Sequence, residues 1–290
     1  MTTKRNRWLV GTVLTLALAA FLSLSLLPIL GGNNNRRANS TADTNLTADP
    51  ASLQAELQSQ AKGYELVLER EPDNQTALQG LVDTRIQLGD IQGVVDPLQK
   101  LVDLNPDVPD YAVLLAQTKQ QTGDLEGAAQ IYRQVLDQQP GNTNALQGLV
   151  ALLVQQKRPQ AAVGLLQDTL KTASQLNGEG AASGIDTPSV KLLLAQVYVE
   201  EGNADQAMTL YDEVIAEAPT DFRPVLAKAL VLQQAGQTDE AQALFAQATS
   251  MAPAQFKDQI EKMATPGLSA VEDPAASGNP SPTEAPAATE

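Results

Sequence analysis

Apolar side chains recur along the chain at helical spacing, in blocks cut by Gly and Pro. Leu78, Leu81 and Val82 share one face of a first block, and Val94, Leu98 and Leu101 share one face of the next. The alternation then returns at a fixed interval. Gly89-Asp90 recurs as Gly123-Asp124, 34 residues later, and Pro72, Pro106 and Pro140 keep the same distance. So do Gly202 and Gly236, and Pro219 and Pro253. Each unit reads helix, Gly, helix, Pro, and five fuller units are predicted: 75–108, 109–142, one from 143, 188–221, and one from 222 to near Pro253. A partial unit precedes them, with Leu53, Leu57, Tyr64, Val67 and Leu68 expected on one buried face up to Pro72. A capping helix with Phe256, Ile260 and Met263 follows the last unit.

The flanks follow other patterns. Residues 8–30 are 23 residues without a charge, long enough at about 1.5 Å per residue to span a bilayer core, behind the short basic flank 1–7. No small-x-small cleavage site ends this run, so a retained single-pass anchor is expected rather than a removed signal peptide. Residues 31–50 have linker composition, and 265–290 form an Ala/Pro/Ser/Glu tail expected to be disordered. The repeat region is thus 51–264, interrupted by an insertion at 171–187 whose first part can prolong the preceding helix.

Composition removes most chemistry. There is no Cys and no His, so thiol nucleophiles, imidazole bases and most transition-metal sites are excluded. Net charge is −15, and an acidic body of this kind repels phosphate backbones, which argues against nucleic acid. Carboxylate pairs such as Asp103 and Asp107, or Glu200 and Glu201, fall at helix ends or exposed positions. Neither an enzyme activity, a small-molecule substrate nor a cofactor is expected.

The 34-residue unit resembles the tetratricopeptide repeat (TPR). Ala128, Ala207 and Ala241 stand at that family's small-residue site in the second helix, and Tyr132, Tyr211 and Phe245 at its aromatic site. The usual first-helix aromatic is replaced, for example by Ala112, and Lys228 occupies a normally apolar position. The resemblance implies an all-α fold, a right-handed superhelical solenoid, which stands here behind the N-terminal transmembrane helix expected from residues 8–30. It also implies a protein-binding groove on the concave face, lined by first-helix positions. Carried onto this chain these are Thr76, Gln79 and Asp83, then Gln117 and Gln120, then Gln147 and Gln155, then Gln196, and finally Arg223 and Gln233, with aliphatic Val113, Leu192 and Leu226 among them. Amides rather than cations fill this groove, which suits a peptide backbone and not an acidic C-terminus.

Asp221-Phe222-Arg223-Pro224, the segment Asn144 to Leu149 and the insertion after the third unit are similar to plastid and cyanobacterial TPR proteins of the Slow Green type. That resemblance implies a part in chloroplast-type biogenesis or photosynthetic membrane assembly. Two functions are expected from these readings: a membrane-anchored scaffold for protein partners or peptide segments, or an extracytoplasmic, translocon-associated holdase for unfolded clients. Lys4, Arg5 and Arg7 outnumber Arg36 and Arg37 across the anchor, so the repeats are expected on the periplasmic or lumenal side of a plasma or thylakoid membrane.

Overall fold

A computed structural model describes residues 50–178 and 184–265. The predicted anchor, the tail, nearly all of the linker and the middle of the insertion lie outside the described residues. Among those described, no helix is long and apolar enough to cross a membrane. The described residues form twelve helices and no strands: α1 (Pro50–Arg70), α2 (Gln75–Leu88), α3 (Ile91–Leu104), α4 (Pro109–Gln121), α5 (Leu125–Gln138), α6 (Thr143–Gln155), α7 (Pro159–Gly178), α8 (Thr187–Glu200), α9 (Ala204–Glu217), α10 (Phe222–Gln234), α11 (Thr238–Met251) and α12 (Ala254–Ala264). They fall into two compact units whose division runs through α8.

In the first unit each helix from α1 to α7 packs on its chain neighbour, and the first helices α4 and α6 also touch directly. Helices α2 to α6 are short, 13 or 14 residues each, so packing of an apolar face rather than propensity holds them. Leu78, Val82, Val94, Leu98, Leu101 and Leu115 form one core cluster, all nearly inaccessible to water. In the second unit Val225, Ala229, Ala241, Phe245, Ala248 and Ile260 form another, and Phe222 stacks on Phe256 with ring centroids 5.7 Å apart. The small residue and the aromatic predicted for the second helices are buried as expected at Ala128, Ala207, Ala241, Tyr132, Tyr211 and Phe245. KTASQL does prolong α7, which runs to Gly178.

Turns and caps explain the Gly-Asp recurrence. Gly89 and Gly123 adopt φ of 74° and 90°, the left-handed turn that ends a first helix at low steric cost. Asp90 and Asp124 then cap the second helices, accepting from Gly93 and Gly127 backbone N–H at 3.0 and 2.9 Å. In the third unit the turn position is Lys157, which holds φ of 58° without being glycine, a conformation that costs a residue with Cβ about 1–2 kcal/mol.

The Lys119 ammonium donates to Asp124 at 2.7 Å, and with the Gly127 N–H it holds the Asp124 carboxyl below the usual aspartate range. A depressed carboxylate pKa stabilises the fold above the unfolded value and loses that contribution as pH falls through the folded one. Carboxyl-resolved NMR titration should therefore find Asp124 ionised after an ordinary aspartate has protonated. Lys119→Met should move its midpoint upward, and an unmoved midpoint would assign the shift to the cap alone.

One expectation fails locally. Leu57 and Ala61 of α1 are buried, but Leu53 and Val67 are 52% and 40% exposed. Helix α1 packs on α2, and among the described residues no first helix precedes it to cover its other side.

Candidate protein-binding face

The sequence-derived groove residues divide between the two units. Seven lie in the first: Thr76, Gln79 and Asp83 on α2, Gln117 and Gln120 on α4, Gln147 and Gln155 on α6. They occupy alternate helices, the first of each pair, as the repeat requires. Thr76, Gln79, Asp83 and Gln155 are exposed, and Gln117, Gln120 and Gln147 are half-buried.

Two hydrogen bonds tie neighbouring first helices across this face. Gln79 Nε2 donates to Tyr111 Oη at 2.5 Å, linking α2 to α4, and Gln120 Nε2 donates to Gln155 Oε1 at 3.2 Å, linking α4 to α6. Each bond uses only part of an amide's hydrogen-bonding capacity, since a glutamine amide offers two donors and two lone pairs. Asp83 supplies a carboxylate here, and desolvation raises its pKa above the ordinary value. Val113, expected as an aliphatic groove residue, is instead buried in the core at 4% exposure.

In the second unit the expectations change more. Gln196 on α8 is half-buried. Arg223 on α10 turns back onto Asp221, with Nε and Nη2 each reaching the carboxylate at 3.0 and 2.7 Å. Asp221 also accepts from the Arg223 backbone N–H at 2.9 Å, so it caps α10 while it holds the guanidinium. Pro224 is buried in the first turn. Asp221 to Pro224 is therefore a closed helix-start structure, and Arg223 is a charge already engaged rather than one offered to a partner. Gln233 Nε2 donates to the Met263 carbonyl at 3.2 Å, which satisfies an end group of α12. It works as a cap for the last helix. Leu192 and Leu226 are buried like Val113. All three aliphatics stand at the repeat position that Gln79 and Gln147 hold in other units, where an apolar side chain is drawn toward the core and an amide stays at least partly accessible.

Other side chains correct smaller readings. Lys228, at a normally apolar position, ion-pairs with Asp212 of α9 and stays partly accessible. Glu200 stands at the end of α8, as expected, but is half-buried there, and desolvation raises its pKa. Ala112, standing where a repeat usually carries an aromatic, underlies a cleft of about 290 Å³ between α3 and α5 that Val102, Pro106, Pro109 and Ile131 also line. Among the described residues no three His, Cys, Asp or Glu side chains converge as a metal site would require.

The sequence reading missed one network, centred on Arg85. Its guanidinium pairs with Glu65 of α1 at 2.8 Å, lies 3.8 Å from Asp90 and donates to the Gly93 carbonyl of α3. The signal was present in Pro97, which sits inside α3 and has no N–H for the carbonyl four residues back. That carbonyl belongs to Gly93.

Comparison with known proteins agrees with this geometry. A family profile described as tetratricopeptide repeat matches residues 69–251. The fold is similar to that of yeast Tom70, at 12% identity and a TM-score of 0.53, over 76% of this chain and 43% of that one. MamA is similar at 20% identity and a TM-score of 0.42, over 64% and 94% of the two chains. A thermophilic TPR protein of Thermus thermophilus is similar at 19% identity and 0.46, over 65% and 98%. No curated protein matches the chain. The family match spans more than half of the sequence and coincides with the paired helices, so this chain belongs to the tetratricopeptide repeat family.

Proposed function

We propose that the protein is a membrane-anchored scaffold whose α2, α4 and α6 face holds an extended segment of a protein partner. The observation that carries this reading is the pair of cross-helix amide bonds, Gln79 to Tyr111 and Gln120 to Gln155. They fix glutamine side chains in advance of binding, so less rotamer entropy remains to be lost when a partner docks. The free amide groups then serve the alternating N–H and C=O of an extended backbone. The charge-free run at 8–30 supports an anchor, and the basic residues before it support repeats on the periplasmic or lumenal side. The likeness of Asp221 to Pro224 and Asn144 to Leu149 to Slow Green-type proteins supports a role in assembling a photosynthetic membrane complex.

The test replaces Gln117 and Gln147 together by Glu. Two like charges then stand on a half-desolvated surface, and acceptors replace amide donors. Unsatisfied buried polar groups cost about 1–3 kcal/mol each, so partner affinity should fall about tenfold or more. Circular dichroism should be unchanged, because these side chains lie outside the core clusters. Wild-type binding should weaken only modestly between low and moderate salt, since amide and aliphatic contacts are screened little. Partners recovered from detergent-solubilised membranes at undiminished yield by the folded double variant would remove the face from consideration.

A further inference from the structure

Among the described residues, the array begins at α1 with no helix before it. In α5, Ile131, Gln134, Val135 and Gln138 face α3 across the cleft above Ala112. The α1 residues two periods earlier are Gly63, Leu66, Val67 and Arg70, and among the described residues α1 has no earlier helix to face. Val67 is 40% exposed, a large value for a position whose counterpart Val135 is 5% exposed, and Leu66 is 49% exposed at a position where its counterpart Gln134 is exposed but polar. A stacked repeat protein normally closes such an end with a polar cap. Residues 31–49 hold Leu46 as their single apolar side chain larger than alanine, too little to cover Leu66 and Val67.

We infer that this end pairs with the same end of a second copy of the chain, α1 against α1, antiparallel about Gly63. The self-complementarity lies in the charges. Seven residues are close to two helical turns, so Glu56, Gly63 and Arg70 lie along one stripe of α1. A two-fold axis at Gly63 sets Glu56 of each copy against Arg70 of the other, and Ser59 and Gln60 against Leu66 and Val67. Such an isologous contact closes at two copies. Gly63 permits the approach: a Cβ placed there meets nothing within 4 Å. Its lack of a side chain lets the two helix axes come near. Among the described residues, Glu56 accepts a 3.4 Å contact from Gln60 of its own helix and is exposed.

The absence of cysteine makes the test clean. In the full chain, Gly63→Cys places a thiol on the proposed axis, and mild oxidation should give a disulfide-linked dimer. Asp137→Cys, exposed on α5, should stay monomeric under the same conditions. Adding Glu56→Arg to Gly63→Cys sets like charges together and should cut the dimer yield about tenfold or more. Adding Arg70→Glu to that variant should restore it, which a general loss of folding or solubility would not allow. No dimer from Gly63→Cys would overturn the proposal, and would mean that the run 8–30 or an unrelated partner covers the face. Equal yields from the two cysteine positions, or a charge reversal without effect, would overturn it as well.

Discussion

Gly148→Leu is expected to lower the unfolding free energy by about 3 kcal/mol, the upper end of what overpacking a core usually costs. A Cβ at Gly148 would stand 2.3 Å from Cζ of Tyr132 and 2.6 Å from its Oη. That ring is fully buried, and its hydroxyl has no hydrogen-bond partner among the described residues, so it has little freedom to retreat. The arrangement is periodic. Tyr64 meets Gly80 in the same way, again at 2.3 Å, and the two pairs are each 16 residues apart. At the intervening interface the corresponding residues are Leu98 and Leu114, and Leu114 packs on the cluster that contains Leu98. A large ring thus goes with glycine, and leucine goes with leucine. Transplanting the second solution as Tyr132→Leu with Gly148→Leu should recover most of the loss. It also removes a buried hydroxyl whose lack of a partner costs about 1–3 kcal/mol. Denaturant midpoints of the two single variants and the double one measure the coupling. Additive losses would show that the two positions do not share one space.

The fold was legible because its evidence repeats. A 34-residue interval in Gly, Asp and Pro can be read without any side-chain geometry, and the helix ends at Gly89 and Gly123 fall where that interval put them. Lys157 shows the limit of the same rule: the left-handed turn is kept, with its backbone hydrogen bonds back to Val154 and Leu153, even where glycine is missing. The candidate face was only half legible. Counting repeat positions places Gln79, Gln117 and Gln120 on first helices, where they do stand, yet counting does not tell which partner a side chain takes there. Gln233 bonds the end of α12, and Arg223 bonds Asp221, because each has a particular acceptor within reach. Such acceptors come from neighbouring turns and later helices, which a position in a repeat does not specify. Val113, Leu192 and Leu226 were misplaced for a simpler reason: an aliphatic side chain beside the helix seam is drawn into the core.

Arg85→Ala should destabilise the first unit by about 2 kcal/mol, since hydrogen bonds from a charged donor contribute about 1.5–3 kcal/mol and this one is only partly exposed. The loss has a specific origin. Pro97 leaves the Gly93 carbonyl without its helical donor, and the Arg85 guanidinium takes that donor's place while also reaching Glu65. Returning the N–H by Pro97→Ala should therefore make Arg85→Ala less harmful, with a coupling of about 1 kcal/mol in the double-mutant cycle. Arg85→Lys should rescue little, because one ammonium cannot serve a carbonyl and a carboxylate in the fork geometry of a guanidinium. Lys119 provides the comparison. It occupies the repeat position of Arg85 one unit later and pairs with Asp124 as Arg85 lies beside Asp90, but α5 contains no proline. Lys119→Ala leaves no orphaned carbonyl, so it should cost less than Arg85→Ala in the same denaturation measurement. Equal losses at the two positions, together with no influence of Pro97, would reduce Arg85 to an ordinary ion pair between helices.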